Sequence, residues 1–169
     1  MTSRPVSLAR FVLYGVYYRL PVRWRRRLVR LGSAKYIIGG VVLVTDESGS
    51  RLLLLRQPPG RHWSLPAGLL KRGEAPVVGA ARELYEETGI RVDPRQLTPG
   101  EPNAVVHFRG RWVDVVFRAR VPDTVALRAD GAEVLEVGWH PLADLPALTT
   151  ATAHLLGHYD IGPQAGTRD

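Results

Sequence analysis

From residue 37 onward the apolar positions fall first into short runs rich in β-branched residues, then into one helical stripe. Ile37–Thr45 reads as a strand, Asp46-Glu47-Ser48-Gly49 as a turn, and Arg51–Arg56 as a second strand. Residues 57–61 form a Pro/Gly loop, 62–66 a short extended stretch, and 75–88 a helix. Further strands are expected over 104–108 and 112–121, joined by Arg109-Gly110-Arg111 as a hairpin turn, and over 134–139. A closing helix is expected over 149–159. Ahead of these, residues 7–31 read as two helical pieces broken near Pro21, with Phe11, Tyr14, Tyr17, Tyr18, Trp24, Leu28 and Leu31 interleaved with arginines. Strands on both sides of a helix, then a closing helix, predict an α/β fold with a mixed sheet between helices and an N-terminal helical extension. The expected divisions are a basic, aromatic-rich extension over 1–34, one domain over 35–162, and a flexible tail over 163–169.

Composition narrows this picture in two ways. The chain has no cysteine, which removes disulfides, thiolate zinc sites and cysteine nucleophiles and suits a reducing, cytoplasmic location. The net charge of +7 is unevenly placed: residues 1–45 hold nine basic residues and no acid, leaving the remainder at −2. The basicity therefore belongs to the extension and says little about the rest. Its apolar run, residues 11–18, lies between Arg10 and Arg19 and falls short of the ~20 residues that cross a bilayer. No small-residue cleavage site follows it, so no targeting segment is expected. The favoured role for the extension is packing of its apolar stripe on the body or on a second copy, as in a homodimer. Contact with nucleic acid or a membrane surface is the less favoured alternative.

The chemistry concentrates in residues 68–90. Glu83, Glu86 and Glu87 stand at i, i+3 and i+4, within one helical arc of roughly 100°. Val77, Ala81, Leu84 and Thr88 occupy a different arc, roughly 120° away. Pro76 suits the first turn and Gly89 the left-handed end. Gly68 and Gly73 bracket a tight loop with Glu74 at its rim. Three carboxylates so close repel one another. A divalent cation turns that repulsion into binding, and hard oxygen ligands suit Mg²⁺ or Mn²⁺.

This segment resembles the Nudix box: Gly68, Glu74, Arg82-Glu83-Leu84, Glu86-Glu87 and Gly89-Ile90 all fall at its specified positions. The flanks are similar too: Leu52 to Arg56, Trp63-Ser64-Leu65-Pro66, and Trp139 with Pro141-Leu142 and Leu145-Pro146 downstream. The resemblance implies a Nudix-type α/β/α sandwich and a hydrolase acting on the phosphoanhydride bond of a nucleoside diphosphate linked to another moiety. It implies Glu83, Glu86 and Glu87 as metal ligands, and Arg82 as the group that orients a glutamate, with Glu86 in reach. Glu74 either supports those ligands or adds to them. The carbonyl of Ala67 joins the metal site, and Leu84 and Ile90 enter the core. The general base is a box glutamate or one from a later loop, with Glu133 the candidate and Glu136 the alternative.

For the substrate, Pro66-Ala67-Gly68 and Arg56-Gln57 resemble the ADP-sugar-cleaving branch, which makes Arg56 and Gly68 substrate-binding candidates and favours ADP-ribose or an ADP-sugar. The alternatives are a sanitiser of oxidised dGTP and a non-catalytic nucleotide-sensing module. The module reading is expected to go with lost box glutamates, and this chain keeps all four. His154 and His158 have zinc spacing, but no acidic ligand accompanies them. His107 reads equally as a residue near substrate or a half-exposed strand residue.

Overall fold

Alternation along the first two strands sorts apolar side chains onto opposite faces of one sheet. In this computed structural model, which describes residues 8–33, 35–107, 111–129 and 131–166, the chain forms two units, 1–35 and 36–169. The first unit holds α1 (Leu8–Arg19) and α2 (Val22–Gly32), separated at Leu20-Pro21. Within it, the Arg25 guanidinium lies over the Tyr18 ring and that of Arg27 over Trp24. No described helix is long and apolar enough to cross a membrane.

In the second unit, β1 (Ile37–Thr45) sends Val41 and Leu43 into one core, together with Leu52 and Leu54 of β2 (Arg51–Arg56). Val42, Val44 and Leu53 enter the core on the opposite face. Helix α3 (Pro76–Thr88) covers that second core with Ala80, Ala81 and Leu84, and Ile90 follows it in. Helix α4 (Thr150–Gly157) covers the first core with Leu155 and Leu156. The layering is thus helix, sheet, helix. Each buried Leu or Val contributes about 1.5–3 kcal/mol, so both faces of the sheet are anchored by apolar burial. The acidic face of α3 stays out of both apolar cores.

The sheet has the order β3-β2-β1-β6-β5, where β3 is Trp63–Ser64, β5 is Thr98–Val106 and β6 is Trp112–Arg120. β4 (Ala67–Leu69) also pairs with β1, and β7 (Glu136–Pro141) with β2. β1 and β6 run parallel and the other pairs antiparallel, so the sheet is mixed.

Some elements differ from the sequence expectation, among them β7, which runs over Glu136–Pro141 rather than 134–139. β5 begins at Thr98, six residues before the expected start, because Pro99, Gly100 and Pro102 mask a strand that keeps its pairing through a register shift between Pro99 and Ala104. The expected 62–66 stretch holds the two-residue β3, and a further short strand, β4, follows it at the entry of the expected Gly68–Gly73 loop and lies against β1. Of the expected hairpin turn, Phe108, Arg109 and Gly110 lie outside the described residues; the His107 N–H donates to Trp112 O at 3.1 Å across it. Gly162–Gln164 form a short 3₁₀ turn, and 167–169 lie outside the described residues.

Candidate active site

Helix α3 begins at Pro76 and ends at Gly89, whose φ of 77° is the left-handed closure that glycine permits. Its inner face rests directly on β1: a Cβ on Gly40 would stand 3.1 Å from that of Ala80. This contact fixes the rotation of the helix and turns its glutamates toward β4. In β4, Pro66 O accepts from Val42 N–H (3.0 Å) and Leu70 N–H donates to Ile38 O (3.2 Å). Strand alternation therefore turns the backbone groups of Ala67 and Leu69 away from β1. They meet α3. The Ala67 N–H donates to Glu87 Oε2 at 2.9 Å, and Leu69 O accepts from Arg82 Nη2 at 3.1 Å.

Arg82 is the centre of the network, and all five of its N–H groups are used. Nε and Nη2 donate to the two oxygens of Glu74, each at 3.0 Å. Nη1 donates to Glu83 Oε1 (2.7 Å) and to Glu86 Oε2 (2.8 Å), and Nη2 also reaches Leu69 O. Glu74 accepts a further bond from the Lys71 N–H at 2.8 Å. The Arg82 bonds, then the Lys71 N–H, pull the Glu74 carboxyl down to about 2. The same bonds, Glu74 foremost, hold the Arg82 guanidinium above its ordinary value. Gly68 lies directly beneath Glu83: a Cβ there would fall 2.0 Å from the Glu83 carboxyl carbon. Only a glycine leaves that carboxylate its place.

The structure thus brings Arg82, Glu83, Glu86, Glu74 and Gly68 into one contact network. Glu87 joins it through β4 and through Gln57 Nε2, which donates to Glu87 Oε1 at 3.1 Å. Helical spacing sets Glu87 on the arc away from the apolar residues, which predicts exposure to solvent; the structure buries it at 7% exposure, because the β4 backbone and Gln57 cover it. Arg56 is ion-paired to Glu136, its register partner on β7, and lies over the Trp63 ring. Glu133 is exposed in the turn before β7.

Four carboxylates against one guanidinium leave a formal excess of three negative charges, which is the setting a hard divalent cation requires. Among the described residues, no three carboxylate or imidazole groups converge as they stand on one point. Mg²⁺ is usually held by one or two carboxylates and several waters rather than by a closed protein cage. Glu83, Glu86 and Glu87, with the Ala67 carbonyl turned by alternation to the same edge, supply oxygen donors of that kind.

A second polar cluster lies on the α4 side of the sheet; of its members the sequence singled out only His107, and Asp114 and Trp112 went unread. Asp114, buried in β6, accepts from Trp112 Nε1 (2.8 Å) and from His107 Nε2 (2.5 Å). The signal was present as one acid inside an otherwise apolar strand, Trp112-Val113-Asp114-Val115-Val116-Phe117. These residues line a cleft of about 700 Å³ that reaches Gln57, Ala67 and Gly68.

The chain is similar to several known proteins. A MutT-like protein of Streptomyces ambofaciens is 46% identical over 83 residues, 49% of each chain. The 8-oxo-dGDP phosphatase NUDT18 of Homo sapiens is 31% identical over 142 residues, covering 82% of this chain and 39% of that protein. The chain therefore spans about half, or less, of the length of these relatives. Among solved structures, a MutT NUDIX hydrolase from Burkholderia pseudomallei superposes with a TM-score of 0.62 at 26% identity, over 73% of this chain and 98% of that one. The family model described as NUDIX domain matches residues 36–159, and the chain belongs to that family.

Proposed function

We propose that this chain is a divalent-metal-dependent pyrophosphohydrolase that cleaves a phosphoanhydride bond in a nucleoside diphosphate derivative. The observation that carries the reading is the single network of Arg82, Glu83 and Glu86 on α3 with Glu74 of the loop before it, tied through β4 to buried Glu87. Mg²⁺ or Mn²⁺ bound there would neutralise the diphosphate and acidify a water. The protein's part is positional. Glu83, Glu86 and Glu87 would hold the cation together with the Ala67 carbonyl. Arg82 fixes the rotamers of Glu83 and Glu86 while Glu74 fixes Arg82, so the ligands are set before substrate arrives. Gly68 keeps the backbone low enough to leave the Glu83 carboxylate its place. The base is a box glutamate or Glu133; Glu136 is committed to Arg56.

Two substrate readings are open to this chemistry. Pro66-Ala67-Gly68 and Arg56 favour ADP-ribose or an ADP-sugar. A relative that covers 82% of this chain, 31% identical over 142 residues, is an 8-oxo-dGDP phosphatase and favours an oxidised guanine nucleotide. Turnover with Mg²⁺ on a panel of ADP-ribose, ADP-glucose, 8-oxo-dGDP and 8-oxo-dGTP, with products identified, tests both. Release of a nucleoside monophosphate from any member supports the reaction. Silence across the panel overturns it.

A further inference from the structure

The cleft on the α4 side of the sheet contains a polar cluster that the hydrolytic network does not use. Its walls are apolar, with Ile37, Val41, Leu69 and Leu155 among them, and its volume of about 700 Å³ is within the range of small-molecule sites. In this lining sits one carboxylate, Asp114, at 7% exposure. A buried carboxylate without donors is costly, and each oxygen here has one: Trp112 Nε1 on Oδ1 and His107 Nε2 on Oδ2. Two carboxylate oxygens accept about four hydrogen bonds in all, so roughly half that capacity remains for a ligand. Room is reserved for the group as well. A Cβ on Gly39 would lie 2.6 Å from Asp114 Oδ1, so a glycine at that position is what lets the carboxylate stand in the cleft.

The cleft is joined to the hydrolytic site in two ways. Gln57 lines it while bonding Glu87, and Ala67 lines it while donating to Glu87. In register, Asp114 of β6, Gly39 of β1 and Leu69 of β4 lie abreast on neighbouring strands. Two strand spacings, about 10 Å in all, therefore separate Asp114 from the residue after Gly68. That is the reach of a nucleoside whose phosphates lie at the box.

We propose that Asp114, held by His107 and Trp112, reads the nucleobase of the substrate and selects a guanine-type edge. The proposal rests on the reading of the substrate as a nucleotide. Guanine and 8-oxoguanine present two adjacent donors, N1–H and the exocyclic amine, which a carboxylate accepts side by side as it does an arginine fork. Adenine presents one amine beside a ring nitrogen whose lone pair faces the carboxylate and is repelled. Trp112, with its ring fixed by the bond to Asp114, adds a flat wall against which a base stacks. On this chemistry the guanine reading takes precedence over the ADP-sugar one.

The test is equilibrium binding of GMP and AMP, neither of which contains an anhydride, to the full chain by calorimetry. The unaltered protein should bind GMP at least about tenfold more tightly than AMP, the scale of hydrogen bonds to a buried charge. Asp114→Asn presents a donor where an acceptor stood and should abolish that preference, with circular dichroism reporting whether it folds. Gly39→Ala, which displaces the carboxylate without removing it, should do the same. Equal affinities for the two nucleotides, no binding of either, or a preference kept by a folded Asp114→Asn protein each overturns the proposal. Because binding is read without turnover, a protein that prefers GMP yet hydrolyses nothing refutes the hydrolase reading alone. One that hydrolyses adenine and guanine substrates alike refutes this inference alone.

Discussion

At the scale of single residues the site is governed by how few degrees of freedom its charges keep. Arg82 has no spare donor, so Glu74, Glu83 and Glu86 are held in mutual register by one planar group. Glu87 is held differently, by a backbone N–H and an amide, in a buried position. Glu87→Gln keeps the size and one acceptor but brings a donor against the Ala67 N–H or the Gln57 amide. It is expected to fold with a stability loss of about 1–2 kcal/mol, read by urea denaturation. Its kcat should fall by about 100-fold or more as a metal-ligand charge is lost. Near-normal turnover with Mg²⁺ would remove Glu87 from the metal site.

At the scale of elements, the site is a helix and a three-residue strand pressed together over two glycines. Gly40 sets the height of α3 above the sheet, and Gly68 sets the height of β4 below Glu83. Gly68→Ala therefore separates fold from function. The added methyl meets the end of a flexible side chain rather than backbone, so the protein is expected to fold, while Glu83 leaves its place and activity drops by about two orders of magnitude. A normal rate with an unchanged melting temperature would show that Glu83 has no fixed role. The lead-in loop offers a pH experiment. The Glu74 carboxyl sits at about 2 instead of 4.5 because Arg82 and the Lys71 N–H favour its ionised form. A depressed pKa contributes stability that is complete above about pH 5 and disappears as pH falls toward 2. The stability difference between the natural protein and Glu74→Gln should be flat above pH 5 and narrow below it. A difference that stays constant down to pH 3 would rule this out. Helical spacing made Glu83, Glu86 and the caps at Pro76 and Gly89 readable in the sequence, and the resemblance to the Nudix box added the orienting role of Arg82. What the spacing could not convey was tertiary. Glu87 is buried by a strand, β4, too short to leave a periodic signal. β5 was half hidden by Pro99 and Pro102. Asp114 is the one acid in its strand; Trp112, two residues before it, shares its face, but His107 becomes a neighbour only when the chain on either side of the hairpin pairs.

At the scale of the whole molecule, charge and chemistry are divided between separate stretches of chain. The nine basic residues and no acid of 1–45 contrast with a remainder carrying −2, and the acidic network lies wholly in that remainder. If the extension took part in hydrolysis, its arginines would have to serve the diphosphate. The network on α3 holds one guanidinium, used in orienting carboxylates. We propose that the extension has a task outside hydrolysis, since its composition suits contact with a second copy or an anionic surface. Removing residues 1–33 is expected to leave kcat unchanged while altering either the mass in light scattering or the retention on an anionic matrix. Added salt should weaken that retention in the full chain, since exposed charges are screened beyond about 8–10 Å at physiological ionic strength. A truncated protein that folds, by circular dichroism, but has lost all turnover would place the extension in the active site. The acidic network and the arginine-rich helices would then have to be read as one catalytic surface.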